Sequence, residues 1–174
     1  MLKISPRGLT GPFSVFLRSP EMASRRMPFI RYLRFETSVP RSLNEFAILI
    51  QARLATAQYE WWAHYPLALE AGLPQAVADA LKEGRRPAPM SAEEAAVYQF
   101  CVELSLNREV SDATFYGLDK FFTPQQMVDL VIISGEYAST AMLLSVAEAE
   151  VPGGVEPLKP MSDAELLAGL LPEG

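Results

Sequence analysis

The ten residues YEWWAHYPLA, 59 to 68, carry the single histidine of the chain, His64, four positions after the carboxylate of Glu60. On a helix, side chains four apart share one face with Cβ atoms about 5–6 Å apart, so these two can touch. The same face runs through Ala57, Trp61, Leu67, Ala68 and Ala71, an apolar stripe with one carboxylate and one imidazole set into it. Polar groups on a buried face must satisfy each other or line a cavity. Either Glu60 satisfies His64 as a core or surface pair, or it orients the imidazole and stabilises its charged form for proton transfer near neutral pH. Pro66 removes the N–H that the carbonyl of Trp62 would accept, which kinks or ends the helix just past His64 and favours a pocket there. Glu45 is a further candidate, because Ile48 and Leu49 share its helix face. It also stands three residues after Ser42, where an S-x-x-E capping box would account for it fully.

The elements that must position these groups read as helices throughout. Ser42 with Glu45, Ser91 with Glu94, Thr123 with Gln126 and Ser162 with Glu165 form four capping-box patterns ahead of apolar periodic runs, and Pro124 suits a first helical position. Gly72 with Pro74, Gly84 before RRPAP, and the PGG at 152 to 154 supply stops. The pattern predicts helices near 12–18, 21–36, 42–56, 57–72, 74–83, 91–106, 112–121 and 124–149, with a weaker one at 162–171. Short connections imply helical hairpins around one core. The run DLVIISGEYASTAMLLSV is the most apolar, yet Gly135, Glu136 and several serines interrupt it, so it falls short of a continuous membrane span. It is expected at the centre of the domain or between subunits, with Glu136 in need of a partner.

The 174 residues, 49% of them apolar, suit one compact all-α domain, with a core of about residues 12–150 and a C-terminal arm or tail over 151–174. A formal charge of −6 argues against a nucleic-acid binder, which needs a basic field. Arginines gather in the N-terminal third (Arg7, Arg18, Arg25, Arg26, Arg31, Arg34), as a transit peptide or a chain with an anionic partner would have them. Interleaved Phe, Ile and Met favour solvated faces of amphipathic helices instead. The lone cysteine, Cys101, excludes an intrachain disulfide and a multi-cysteine metal site. With no signal peptide visible it fits a reducing cytoplasm and reads as a buried, inert thiol.

The span from Ser42 to Gly84, with Glu45, the ARL at 52–54 and His64 set along NEFAILIQARLATAQYEWWAHYPLALEAGLPQAVADALKEG, resembles the carboxymuconolactone decarboxylase family of the alkylhydroperoxidase D-like superfamily. SAEEAAVYQFCVEL and VSDATFYGLDKFFTPQQMVDLVIISGEYASTAMLL resemble its second half, so the likeness covers roughly residues 12 to 150. It implies an alkylhydroperoxidase D-like fold of about seven to nine helices, assembled as homotrimers or hexamers with the active site near a subunit interface. In the redox branch a Glu precedes Cys-x-x-Cys and a His follows. Here Glu45 and His64 match, while Ala57 and Glu60 occupy the cysteine positions. Without a thiolate pair there is no disulfide cycle. A thiol peroxidase built on Cys101 would lack a second cysteine to resolve its oxidised form.

The decarboxylase branch carries E-x-x-x-H, which Glu60 and His64 match. The resemblance therefore implies a cofactor-independent lyase with no metal, acting on a small carboxylated lactone or aromatic-degradation intermediate. A conjugated carbonyl accepts the electrons left by departing carbon dioxide. The expected roles are His64 as general acid/base, Glu60 as its orienting partner and Glu45 as a second carboxylate. Arg53 is a candidate for the substrate carboxylate, or else pairs with a structural glutamate. Trp61, Trp62 and Tyr137 are candidates for the pocket wall, or else core and interface aromatics. The doublet Trp61-Trp62 and Tyr65 make this neighbourhood bulkier than the family pattern, which leaves the substrate open. A non-catalytic ligand-binding or interaction protein with the same fold is the alternative. Neither nucleic acid nor membrane is an expected partner.

Overall fold

The computed structural model describes residues 11–171. Among these residues the chain forms nine α-helices and no strand. They are α1 (Pro12–Phe16), α2 (Pro20–Phe35), α3 (Arg41–Leu54), α4 (Gln58–Glu70), α5 (Gln75–Lys82), α6 (Ala92–Asn107), α7 (Asp112–Asp119), α8 (Pro124–Val146) and α9 (Asp163–Leu170). All nine lie where periodicity and punctuation place them, with ends shifted by a few residues. Arg7 lies outside the described residues.

Three of the four expected capping boxes form: Ser91 with Glu94, Thr123 with Gln126 and Ser162 with Glu165 each exchange both hydrogen bonds. The Ser42–Glu45 box does not. Pro40 is the N-cap of α3, at φ −51° and ψ 133°, and no side chain caps that helix. The carbonyl of Pro40 already accepts from the amides of Leu43 and Asn44. Ser42 is thereby drawn into the first turn, and Glu45 is left to point inward, 2% exposed.

Helix α3 is the axis of the molecule. Every residue from Leu43 to Arg53 is buried, and α2, α4, α5, α6 and α8 all pack on it. Its most extensive partner is α4, reached through a turn at Ala55–Ala57 in which Thr56 adopts φ 47°. That hairpin sets Glu45 and His64 against each other.

The apolar helix α8 is not the centre. Half of its most apolar window is buried within this chain, although its length and composition would serve a membrane span. Met127, Leu130, Ile133, Tyr137, Ala141 and Leu144 face inward. Val128, Ile132, Met142 and Val146 form an exposed apolar stripe on the other side. Glu136 finds its required partner in Arg26 of α2, at 2.6 Å.

Residues 151–171 are neither a loose tail nor an arm reaching away from the domain. Leu158, Leu166 and Leu170 are buried in the main core. Gln58 brackets Leu158, donating to its carbonyl and accepting from its amide at 2.7 and 2.8 Å. Tyr98 donates to the carbonyl of Leu170, and Gly169 lies so close to the carbonyl oxygen of Gly84 that any Cβ would overlap it.

Candidate functional site

A partly open cavity of about 500 Å3 lies between the first two helices and the α4–α8 face. From α4 it receives Tyr59, Glu60, Ala63, His64 and Leu67; from α8, Glu136, Tyr137 and Thr140. Helices α1 and α2 close the other side with Phe13, Phe16, Ile30, Arg34 and Phe35. The spacing of Glu60, Ala63, His64 and Leu67 explains why α4 offers a continuous strip to this space. Gly11 starts the covering segment at φ 58°, and a Cβ there would stand inside the ring of Tyr59. Only glycine meets both demands.

His64 is held by Glu45. The imidazole Nδ1 and the carboxylate Oε2 are 2.7 Å apart, both side chains nearly buried. A carboxylate only accepts, so Nδ1 carries the hydrogen and Nε2 is the nitrogen left for chemistry. Tyr137 meets the imidazole edge-on, ring centroids 5.0 Å apart at 88°, and locks its plane. The orienting partner of His64 is thus Glu45 from the neighbouring helix rather than Glu60 from its own. Helical spacing allowed the i,i+4 contact but did not require it.

Glu60 does something different. Both carboxyl oxygens are buried and without a hydrogen-bond partner, although the residue lines the cavity. Burial, reinforced by the charge of Glu136 and opposed by that of Arg26, pushes its carboxyl up to about 9. At neutral pH it is a neutral acid, able to donate one hydrogen bond and to accept others. Arg26 spends its charge on Glu136 and a hydrogen bond on Thr140, at 2.9 Å. The Tyr137 phenol is also held protonated by burial.

Arg53 is elsewhere. Its guanidinium is fully buried and donates to the carbonyls of Lys82 and Lys159 and to the Thr56 hydroxyl, at 3.2, 3.1 and 2.9 Å. It ties the α3–α4 turn to the C-terminal segment, and it lines no part of the cavity. Of the three aromatics, Tyr137 lines the cavity. Trp61 is in the main core against Tyr65, and Trp62 packs on Tyr59 at the edge of a smaller cluster. The helix continues through Pro66 to Glu70, so the proline does not end it.

Cys101 is fully buried beside Ser134, and burial pushes its thiol up to about 12. Among the described residues no three His, Cys, Asp or Glu side chains gather as a metal site would need.

Sequence reasoning passed over Arg34. Arg26, Ile30 and Arg34 fall at i, i+4 and i+8, and so share one face of α2. Arg25 and Arg31 make exposed pairs with Glu21 and Glu36, as solvated arginines do. Ile30 and Arg34 of that face line the cavity, while Arg26 reaches it only through its pair with Glu136. Two cations flanking an isoleucine on a single face were the available signal that this face is not wholly solvated. Comparison with known proteins finds no match for this chain among family models, curated proteins or solved structures.

Proposed function

We propose that the protein is a cofactor-independent decarboxylase, or a related proton-transfer enzyme of the cytoplasm, acting on a small carboxylated lactone or aromatic-degradation intermediate. The observation that supports this is the meeting, in one cavity, of an imidazole fixed by a carboxylate with a carboxyl group kept neutral. A carboxyl held neutral beside an imidazole oriented by a second carboxylate supplies two different proton-handling groups to one space, as acid–base division of labour requires. The resemblance of residues 42–84 to carboxymuconolactone decarboxylases points the same way.

In this reading the bond from ring carbon to carboxylate breaks and its electron pair moves into the conjugated carbonyl. Carbon dioxide leaves and an enolate remains. The neutral carboxyl of Glu60 donates a hydrogen bond to the enolate oxygen, where charge develops. The Nε2–H of protonated His64 then protonates carbon, the positive charge having been balanced by Glu45. One proton taken from water restores His64 for the next turnover. Tyr137 holds the ring plane during the exchange.

The homo-oligomer expected from the resemblance finds support in the α8 stripe. Val128, Ile132, Met142 and Val146, with the exposed Gly135 and Ser139 between them, recur at alternating spacings of four and three residues. Such a seam suits a second helix.

The test is decarboxylation of conjugated lactones that bear a single carboxylate, followed as carbon dioxide release. His64→Ala should abolish turnover with thermal stability largely kept. Ligand binding without turnover by the unaltered chain would instead favour a binding protein of the same fold.

A further inference from the structure

Among the described residues, one cation lines the cavity without a counter-charge, Arg34. Arg26 is neutralised by Glu136 and His64 is paired with Glu45. Arg34, on the same face of α2 as Arg26, has no carboxylate within ion-pair distance among the described residues. Its Nε is buried without a hydrogen-bond partner, and the guanidinium rests on the Phe35 ring, 4.8 Å from the centroid to Cζ. That stacking fixes the plane of the fork. A buried N–H left unmatched is costly, and side-on binding of a carboxylate uses Nε–H together with one terminal N–H.

We propose that Arg34 is the ligand-binding residue for a single carboxylate, and that the occupant is a monoanion whose remaining body is apolar and ring-sized. The one unbalanced charge sets the number of carboxylates. Phe13, Phe16, Ile30 and Leu67 set the apolar body. Among the described residues a second carboxylate would meet only Glu60 and the already paired Glu136, with no further cation lining the cavity to receive it. The cavity volume is in the range of small-molecule sites. This inference rests on the reading of the cavity as a site for a carboxylated compound, and it moves the recognition role from Arg53 to Arg34.

The experiment is calorimetric titration of the full chain with benzoate, phenylacetate and 3-phenylpropionate, each beside its neutral amide. At least one acid should bind about tenfold or more tightly than its amide, the scale of one charged hydrogen-bond pair. Arg34→Gln should reduce that acid to the level of its amide while leaving the amide unchanged. Arg34→Lys should recover only part, having the charge but not the fork. If no acid outbinds its amide in the unaltered chain, the proposal is wrong, and that comparison decides even should Arg34→Gln fail to fold. Charge-dependent binding without turnover on any lactone would remove the enzymatic reading and leave this one. Turnover in Arg34→Gln at an unchanged KM would do the reverse.

Discussion

His64 and Glu45 are 19 residues apart in the chain, yet Nδ1 and Oε2 lie 2.7 Å apart across the α3–α4 hairpin. The bond decides which ring nitrogen faces the cavity and places a compensating charge behind it. Glu45→Gln keeps a hydrogen-bonding side chain of the same shape and removes that charge. Turnover should fall by about a hundredfold or more, while the melting temperature moves little. Steady-state rates beside thermal unfolding check this, and an unchanged rate would reduce Glu45 to a packing role.

Glu60 makes stability depend on pH with a definite sign. Its carboxyl titrates near 9 in the folded chain against an ordinary 4.5, so between those values the folded state holds a proton that the unfolded state has released. The contribution is full below pH 4.5 and is lost as pH rises through 9. Glu60→Gln cannot ionise. It should match the parent in acid and exceed it near pH 9 by on the order of a few kcal/mol. Denaturant titrations at both ends of that window measure the difference. Equal stability at both would place the Glu60 charge in water.

Arg53 carries structure rather than ligand. Arg53→Ala leaves the carbonyls of Lys82 and Lys159 without their buried donor and should cost about 3 kcal/mol or more. Carboxylate affinity in the fraction that remains folded should be unaltered. Urea unfolding and calorimetric titration report the two halves of this statement separately.

Cys101 should behave as core. With its thiol raised to about 12 and no exposed surface, it should react with a disulfide reagent only after denaturation. Cys101→Ser should leave peroxide consumption where it was. Rapid labelling of the native chain would contradict the packing around Ser134.

The α8 stripe gives a prediction about mass. Met142 and Ile132 are 66% and 39% exposed, and a charge at either would face a second helix in any assembly built on that seam. Ile132→Glu or Met142→Glu should lower the mass read by light scattering while the helical signal persists. An unchanged mass in both variants would place the assembly surface elsewhere.

The helices were legible because their signals are local. Ser91, Thr123 and Ser162 announce their own helix starts, and Gly72 and Gly84 announce stops, at φ 100° and 69°. The false capping box at Ser42 failed for an equally local reason, since Pro40 opened the helix first. The partnership of His64 was not legible, because it depends on how α3 packs on α4, and one sequence holds no record of that register. Glu60 lay on the correct face and in the correct neighbourhood, but whether its oxygens would meet an imidazole or empty space is a tertiary fact. Arg34 was hidden among arginines of which several do sit in solvent.

Besides the α8 wall, two stretches of chain contribute to the cavity with separate duties. Residues 12–35 supply Arg34 and most of the aromatic wall among the described residues, while the imidazole, its carboxylate and the neutral acid come from residues 45–64. Substitutions in the first stretch can therefore change which molecule is admitted without retuning the proton chemistry of the second. Grafting a different pair of leading helices onto the same α3–α4 hairpin is accordingly a route to new selectivity, one that leaves the reacting groups in place.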